Sequence, residues 1–161
     1  HGHLDHCGAS KQIRDQLNIT IEGPHKDDQF WIDQLEEQSK QFGLPNASSF
    51  IPDRYLNDNE IVEFGTIKLL VKHCPGHTPG HVIFFSPEEK IAVVGDVLFS
   101  GCIGRTDFPR GDYDTLIEAI TTKLWPLGND VTFFPGHGPT STFGIERQTN
   151  PYVGDLVTGI H

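Results

Sequence analysis

Apolar positions recur along this chain at two periods, and the change falls near Phe50. Before it the spacing is helical. Ile13 and Leu17 stand among Lys11, Gln12, Arg14 and Asp15, which predicts a short amphipathic helix over 9–17 with Ser10 as its cap. Ile19 to Glu22 alternates as a strand and stops at Gly23-Pro24. From Lys26 to Phe42, the residues Phe30, Trp31, Ile32 and Leu35 share one broad face opposite Asp33, Glu36 and Glu37, so a longer helix is expected. Gly43-Leu44-Pro45-Asn46 ends it, with Gly43 as the C-terminal cap.

Beyond Phe50 the pattern is that of strands. Arg54-Tyr55-Leu56 and Ile61–Phe64 flank a turn at Asn57-Asp58-Asn59, and a second turn at Gly65 leads into Ile67–Val71. His81–Phe85 and Ile91–Val94 are apolar strands joined as a hairpin through 86–90. Tyr113 to Leu124 predicts a helix with Leu116, Ile117, Ile120 and Leu124 inward and Asp112 or Asp114 at its start. Val131–Phe134 is a last strand. A short helical stretch follows from Phe143, and after Asn150-Pro151 no element is evident. No repeat or linker divides the chain, so one domain is expected over 1–161.

Composition narrows the partners. With 22 acidic against 12 basic residues the net charge is −10, which repels phosphate backbones and excludes nucleic acid as an expected partner. No apolar run approaches the roughly 20 residues that cross a bilayer, so no membrane partner is expected. Cys7, Cys74 and Cys102 are sparse, odd in number and form no CxxC, which favours free thiols in a reducing, cytoplasmic setting. The chain lacks methionine and opens on a candidate ligand with no strand before it, so an N-terminally incomplete domain is expected.

The chemistry starts at His1-Gly2-His3-Leu4-Asp5-His6. Three imidazoles and a carboxylate in six positions suit zinc, iron or manganese, and the lack of thiolates argues against a purely structural zinc. In an extended segment His1 and His3 share a side while the adjacent Asp5 and His6 point apart, so one stretch can feed two metals. Three stations answer it, each in a turn after a strand. They are Pro75-Gly76-His77-Thr78-Pro79-Gly80-His81, Gly95-Asp96 and Pro135-Gly136-His137-Gly138. Together they add His77, Asp96 and His137, enough for a binuclear site. His81 heads an apolar strand, where a structural hydrogen bond is expected. His25, His73 and His161 lack a companion motif and are expected to face solvent, and Cys7 is expected to be buried in a helix.

The opening HxHxDH stretch resembles the signature of the metallo-β-lactamase superfamily. The ordered stations resemble its glyoxalase II branch, and Gly104-Arg105-Thr106-Asp107-Phe108 and Asn150-Pro151 resemble the small single-domain bacterial hydroxyacylglutathione hydrolases within it. The resemblance implies an α/β (α+β) fold, the αββα sandwich, lacking its N-terminal strands here. It implies that His1, His3 and His77 hold one metal, that Asp5, His6 and His137 hold a second, and that Asp96 bridges them. It further implies two divalent cations, Zn2+ before Fe or Mn, and Asp5 and Asp96 as catalytic residues. The implied reaction is hydrolysis of S-lactoylglutathione to lactate and glutathione by a hydroxide shared between the metals, within methylglyoxal detoxification.

The implied partner is thus a small-molecule glutathione thioester, with the oligomeric state left open. Larger glyoxalase II enzymes grip the tripeptide with basic residues of an added C-terminal helical domain, for which 138–161 is too short. Arg105 and Arg110 are the available cations, or else they brace their loop by pairing with Asp107 or Asp112. A persulfide dioxygenase with one iron, a lactonase on the same fold and a non-catalytic metal-binding module are the alternatives. The acidic charge disfavours a nuclease.

Overall fold

A computed structural model describes residues 1–44 and 47–159. Pro45 and Asn46 of the expected helix stop, and His161, lie outside the described residues. The chain builds a six-stranded sheet from β1 (Ile61–Phe64), β2 (Ile67–His73), β3 (Val82–Ser86), β4 (Ile91–Gly95), β7 (Thr132–Pro135) and β8 (Ser141–Thr142), in spatial order β1-β2-β3-β4-β7-β8. All neighbours are antiparallel except β4 and β7. The crossover between these two carries a ribbon of β5 (Leu98–Phe99) and β6 (Cys102–Ile103), then helix α5 (Tyr113–Ala119).

Strand alternation sends both faces of the sheet an apolar row. Leu70, Phe85, Ala92 and Phe133 stand side by side in register, and they pack in one cluster with Leu116, Ala119, Ile120 and Leu124. Val71, Phe84, Val93 and Phe134 form the row on the opposite face. Two apolar faces are what a sheet needs when layers lie on both sides. The second layer is the segment before β1, which covers the Val71 end, whereas Val93 and Phe134 remain exposed. Among the described residues the other sheet is the two-stranded β5–β6 ribbon.

The N-terminal layer contains α1 (Leu4–Cys7), α2 (Ser10–Leu17), α3 (Gln29–Ile32) and α4 (Leu35–Gln41). The expected single helix over 26–42 is broken into a 3-10 turn, α3 and α4. The side chains of Gln34 and Ser49 donate to the carbonyls of Phe30 and Asp33, competing with the helical ladder there. α4 then closes as expected on Gly43 (φ 63), with Leu44 N–H donating to Ser39 O and Gly43 N–H to Lys40 O. α2 begins at Ser10 with Ala9 in the cap position, so Ser10 is not the cap. Its stripe of Ile13 and Leu17 stays exposed, because Leu4, Cys7, Ile32, Leu35, Ala47 and Phe50 close the core beneath without it.

The strands expected at 19–22 and 54–56 reduce to one bridge, Glu22 to Arg54. α5 runs on through a π-helical turn at Ile120–Leu124, and Asp112 caps its start by accepting from Thr115 N–H at 2.7 Å. After β8 come α6 (Phe143–Thr149) and α7 (Asp155–Thr158), the latter a turn of helix where no element was expected. Among the described residues no helix is long and apolar enough to cross a membrane.

Candidate metal centre

The expected stations meet along one edge of the sheet. β2 and β3 are joined by the turn bearing His77, β4 ends one residue before Asp96, and β7 ends two residues before His137. Gly136 N–H donates to Gly95 O at 2.8 Å, which ties the ends of the two parallel strands together and sets Asp96 beside His137. His1 and His3 lie on an extended segment, as expected. From Leu4 the chain turns helical, however, with the His3 carbonyl accepting from His6 and Cys7 N–H, so Asp5 and His6 do not point apart. They converge on the same side.

Two groups result. His3 Nδ1 lies 3.1 Å from both His1 Nε2 and His77 Nε2. Asp5 Oδ2 lies 3.1 Å from His137 Nε2 and 3.5 Å from His6 Nε2. Asp96 Oδ2 stands between them, 3.4 Å from His6, 3.5 Å from His77, 3.6 Å from His137 and 3.9 Å from His1. All seven expected side chains are therefore brought together.

This donor set fits cations better than it fits itself. A tetrahedral ion with bonds of 2.0–2.1 Å spaces its donors about 3.3 Å apart, close to the separations found. His6 Nε2 and Asp96 Oδ1 are buried without a hydrogen-bond partner, a costly state unless something positive sits between the groups. Burial, and then the neighbouring His77, push the His3 imidazole from 6.5 down to about 4, so it stays neutral with a lone pair to offer. Burial likewise lowers His77, whose Nδ1–H donates to Arg105 O at 2.7 Å and leaves Nε2 facing the cluster. Burial works to raise the Asp96 carboxyl, but the imidazoles of His6, His77 and His137 crowded against it outweigh this and hold it below its ordinary value.

Backbone proximity completes the cage. A Cβ on Gly136 would stand 2.2 Å from Asp96 Oδ1, and one on Gly104 would stand 1.9 Å from Asp96 O. His81 is fully buried, stacks on His1 at 4.5 Å and accepts from Asp96 N–H at 3.0 Å, the structural bond expected of it. The first group is roofed by Trp31 and Phe108, whose rings stand 4.5 and 5.1 Å from His3. The second is open: the side chains of Asp5 and His137 are 59% and 58% exposed.

Other expectations resolve around this centre. Arg105 braces its loop through Asp107 at 2.9 and 3.0 Å, while Arg110 lies over the Phe30 ring at 4.0 Å and makes no ion pair among the described residues. Cys7 is buried in α1, and burial pushes its thiol up to about 11. His25 and His73 do not simply face solvent. They stack at 4.1 Å, half-buried, because both flank the 75–81 turn, where His25 N–H donates to Gly80 O and His73 Nε2–H to Pro79 O.

Asp28 was not singled out from the sequence. It is fully buried and accepts from Gly2 N–H, Thr78 Oγ1–H and Gly80 N–H. Its spacing from Trp31, Ile32 and Leu35 puts it on the buried stripe, a signal that was present in the chain.

A mixed sheet whose strand ends meet the N-terminal segment and α1, so that five imidazoles and two carboxylates converge, defines a protein built to hold divalent cations. Residues 1–137 match the Metallo-beta-lactamase superfamily, and the chain belongs to that family. It is 49% identical over 154 residues to "Hydroxyacylglutathione hydrolase GloC" of Haemophilus influenzae, covering 95% of this chain and 73% of that protein. Among solved structures it resembles the BLEG-1 B3 metallo-beta-lactamase, with TM-score 0.84 and 35% identity over 95% of this chain and 74% of that one. TTHA1623 in a di-iron-bound form gives TM-score 0.84 and 34% identity over 94% and 74%.

Proposed function

We propose that this chain is a metal-dependent hydrolase of glutathione thioesters that converts S-lactoylglutathione to lactate and glutathione. The observation that carries the reading is its 49% identity, over 95% of its length, to a hydroxyacylglutathione hydrolase. His1, His3 and His77 would hold one divalent cation and Asp5, His6 and His137 the other, with Asp96 shared. Zinc suits the nitrogen-rich donors, and iron is supported by the di-iron relative. When bound, such cations would lower the pKa of a water towards about 7 and polarise the carbonyl under attack.

The chain's own residues do the rest. Asp5 turns one oxygen to His6 and His137, and the other oxygen of this exposed carboxylate accepts a hydrogen bond from water and orients it. Trp31 and Phe108 keep solvent off His3, so the thioester enters over the open Asp5 and His137 side. The departing thiolate, with a parent pKa of about 8.5, needs no proton donor. Arg110, which lies over the Phe30 ring and has no carboxylate partner among the described residues, is the cation this reading offers to a carboxylate of the tripeptide. Three free thiols fit a cytoplasmic location. The presence of the Asp5, His6 and His137 group speaks against a one-iron dioxygenase.

The test is turnover of S-lactoylglutathione by protein reconstituted with zinc, read as loss of thioester absorbance, alongside a count of metals per chain. Hydrolysis with two metals is expected. A metal-loaded protein without turnover, or one iron with oxygen uptake, overturns the reading.

A further inference from the structure

We propose that Asp28 is the positioning residue for one half of the centre, holding His1, His3 and His77 in register through the hydrogen bonds it accepts from two distant segments. The inference rests on the reading that these histidines bind metal. Asp28 Oδ2 accepts from Gly2 N–H at 2.7 Å, between His1 and His3 in sequence, and from Thr78 Oγ1–H at 2.8 Å, next to His77. Asp28 Oδ1 accepts from Gly80 N–H at 2.5 Å. One carboxylate thereby clamps the two strands of chain that deliver this trio, and Thr78 is itself fully buried.

The approach is close on both sides. A Cβ on Gly2 would stand 2.9 Å from Asp28 O and 2.8 Å from Trp31 Cβ, and one on Gly80 would stand 2.4 Å from Asp28 N. Glycine at both positions lets the backbone reach the carboxylate. None of the hydrogen bonds to Asp28 comes from Asp5, His6 or His137, so the clamp acts on one trio and leaves the other alone. An anion is required because all three partners are donors. An amide in its place would set its own N–H groups against at least one of them.

The experiment is a Co2+ titration of the metal-free full chain, in competition with a chromophoric chelator, reading each dissociation constant and the visible absorption of each step. The parent chain should show two steps. In Asp28→Asn one constant should rise about 10- to 100-fold, the scale seen when an outer partner of a ligand is lost, with the other unchanged within about threefold. Thr78→Val, which removes one of the three bonds, should shift the same constant by less, and it reports even where Asp28→Asn fails to fold. In a His137→Ala background the remaining step should be the one sensitive to Asp28→Asn. Equal shifts in both constants, no shift in either, or a parent chain without two steps overturns the proposal. Two-step binding without thioester hydrolysis would overturn the substrate reading and leave this one standing.

Discussion

One oxygen, Asp96 Oδ2, lies between 3.4 and 3.9 Å from ring nitrogens of four histidines. Asp96→Asn preserves the shape and removes the shared anion, so both trios lose a ligand. Metal content and kcat/KM should fall by more than the 10- to 100-fold typical of an outer partner, as measured by mass spectrometry and steady-state assay. His3 contributes to the acid limit, together with the more deeply buried His81. The His3 imidazole titrates near 4 in the folded chain against 6.5 as a free group, so protons bind the unfolded state first as pH drops. The stability it contributes is complete above pH 6.5 and is lost as pH falls towards 4. Urea midpoints of the metal-free chain should show that decline, and His3→Gln should flatten it. Arg110→Ala should raise KM about tenfold with kcat little changed, since binding in ground and transition states is lost equally.

The strands and the helix that follows them deliver these residues, and α5 depends on its cap. Asp112→Ala frees Thr115 N–H and should lower the midpoint of urea unfolding. Elements whose signal is local could be read from the chain, namely β2 to β4, α5 and β7, because alternation or a helical stripe needs no knowledge of partners. The break at 33–34 could not, because Ser49, which takes the Asp33 carbonyl, arrives from a remote loop. The Gly-His and Gly-Asp turns were legible as candidate ligands, since glycine beside a ligand type at a strand end is itself a pattern. The burial of Asp28 was legible from its place on the Trp31, Ile32 and Leu35 stripe, but the donors that require a carboxylate there, at Gly2, Thr78 and Gly80, come from remote segments. The orientation of Asp5 and His6 does not follow from an extended segment, because the four residues of α1 turn both to one side.

At the scale of the whole molecule, the sheet is covered unevenly. Val93 and Phe134 are neighbours across the β4–β7 register and 49% and 43% exposed, with Phe84 beside them. A strip of this kind on a chain of charge −10 should bind an anionic hydrophobic dye despite the repulsion. Val93→Lys with Phe134→Lys should abolish that fluorescence, with far-ultraviolet dichroism unchanged. The glycines pressed against Asp96 have a different reach. They form a cage out of missing side chains, so randomising codon 104 or 136 and selecting for metal retention should return glycine alone. Laboratory evolution toward new esters is thereby channelled away from the cage to Phe30, Trp31 and Phe108, where mutations reshape the roof over His3 and leave the ligand backbone alone.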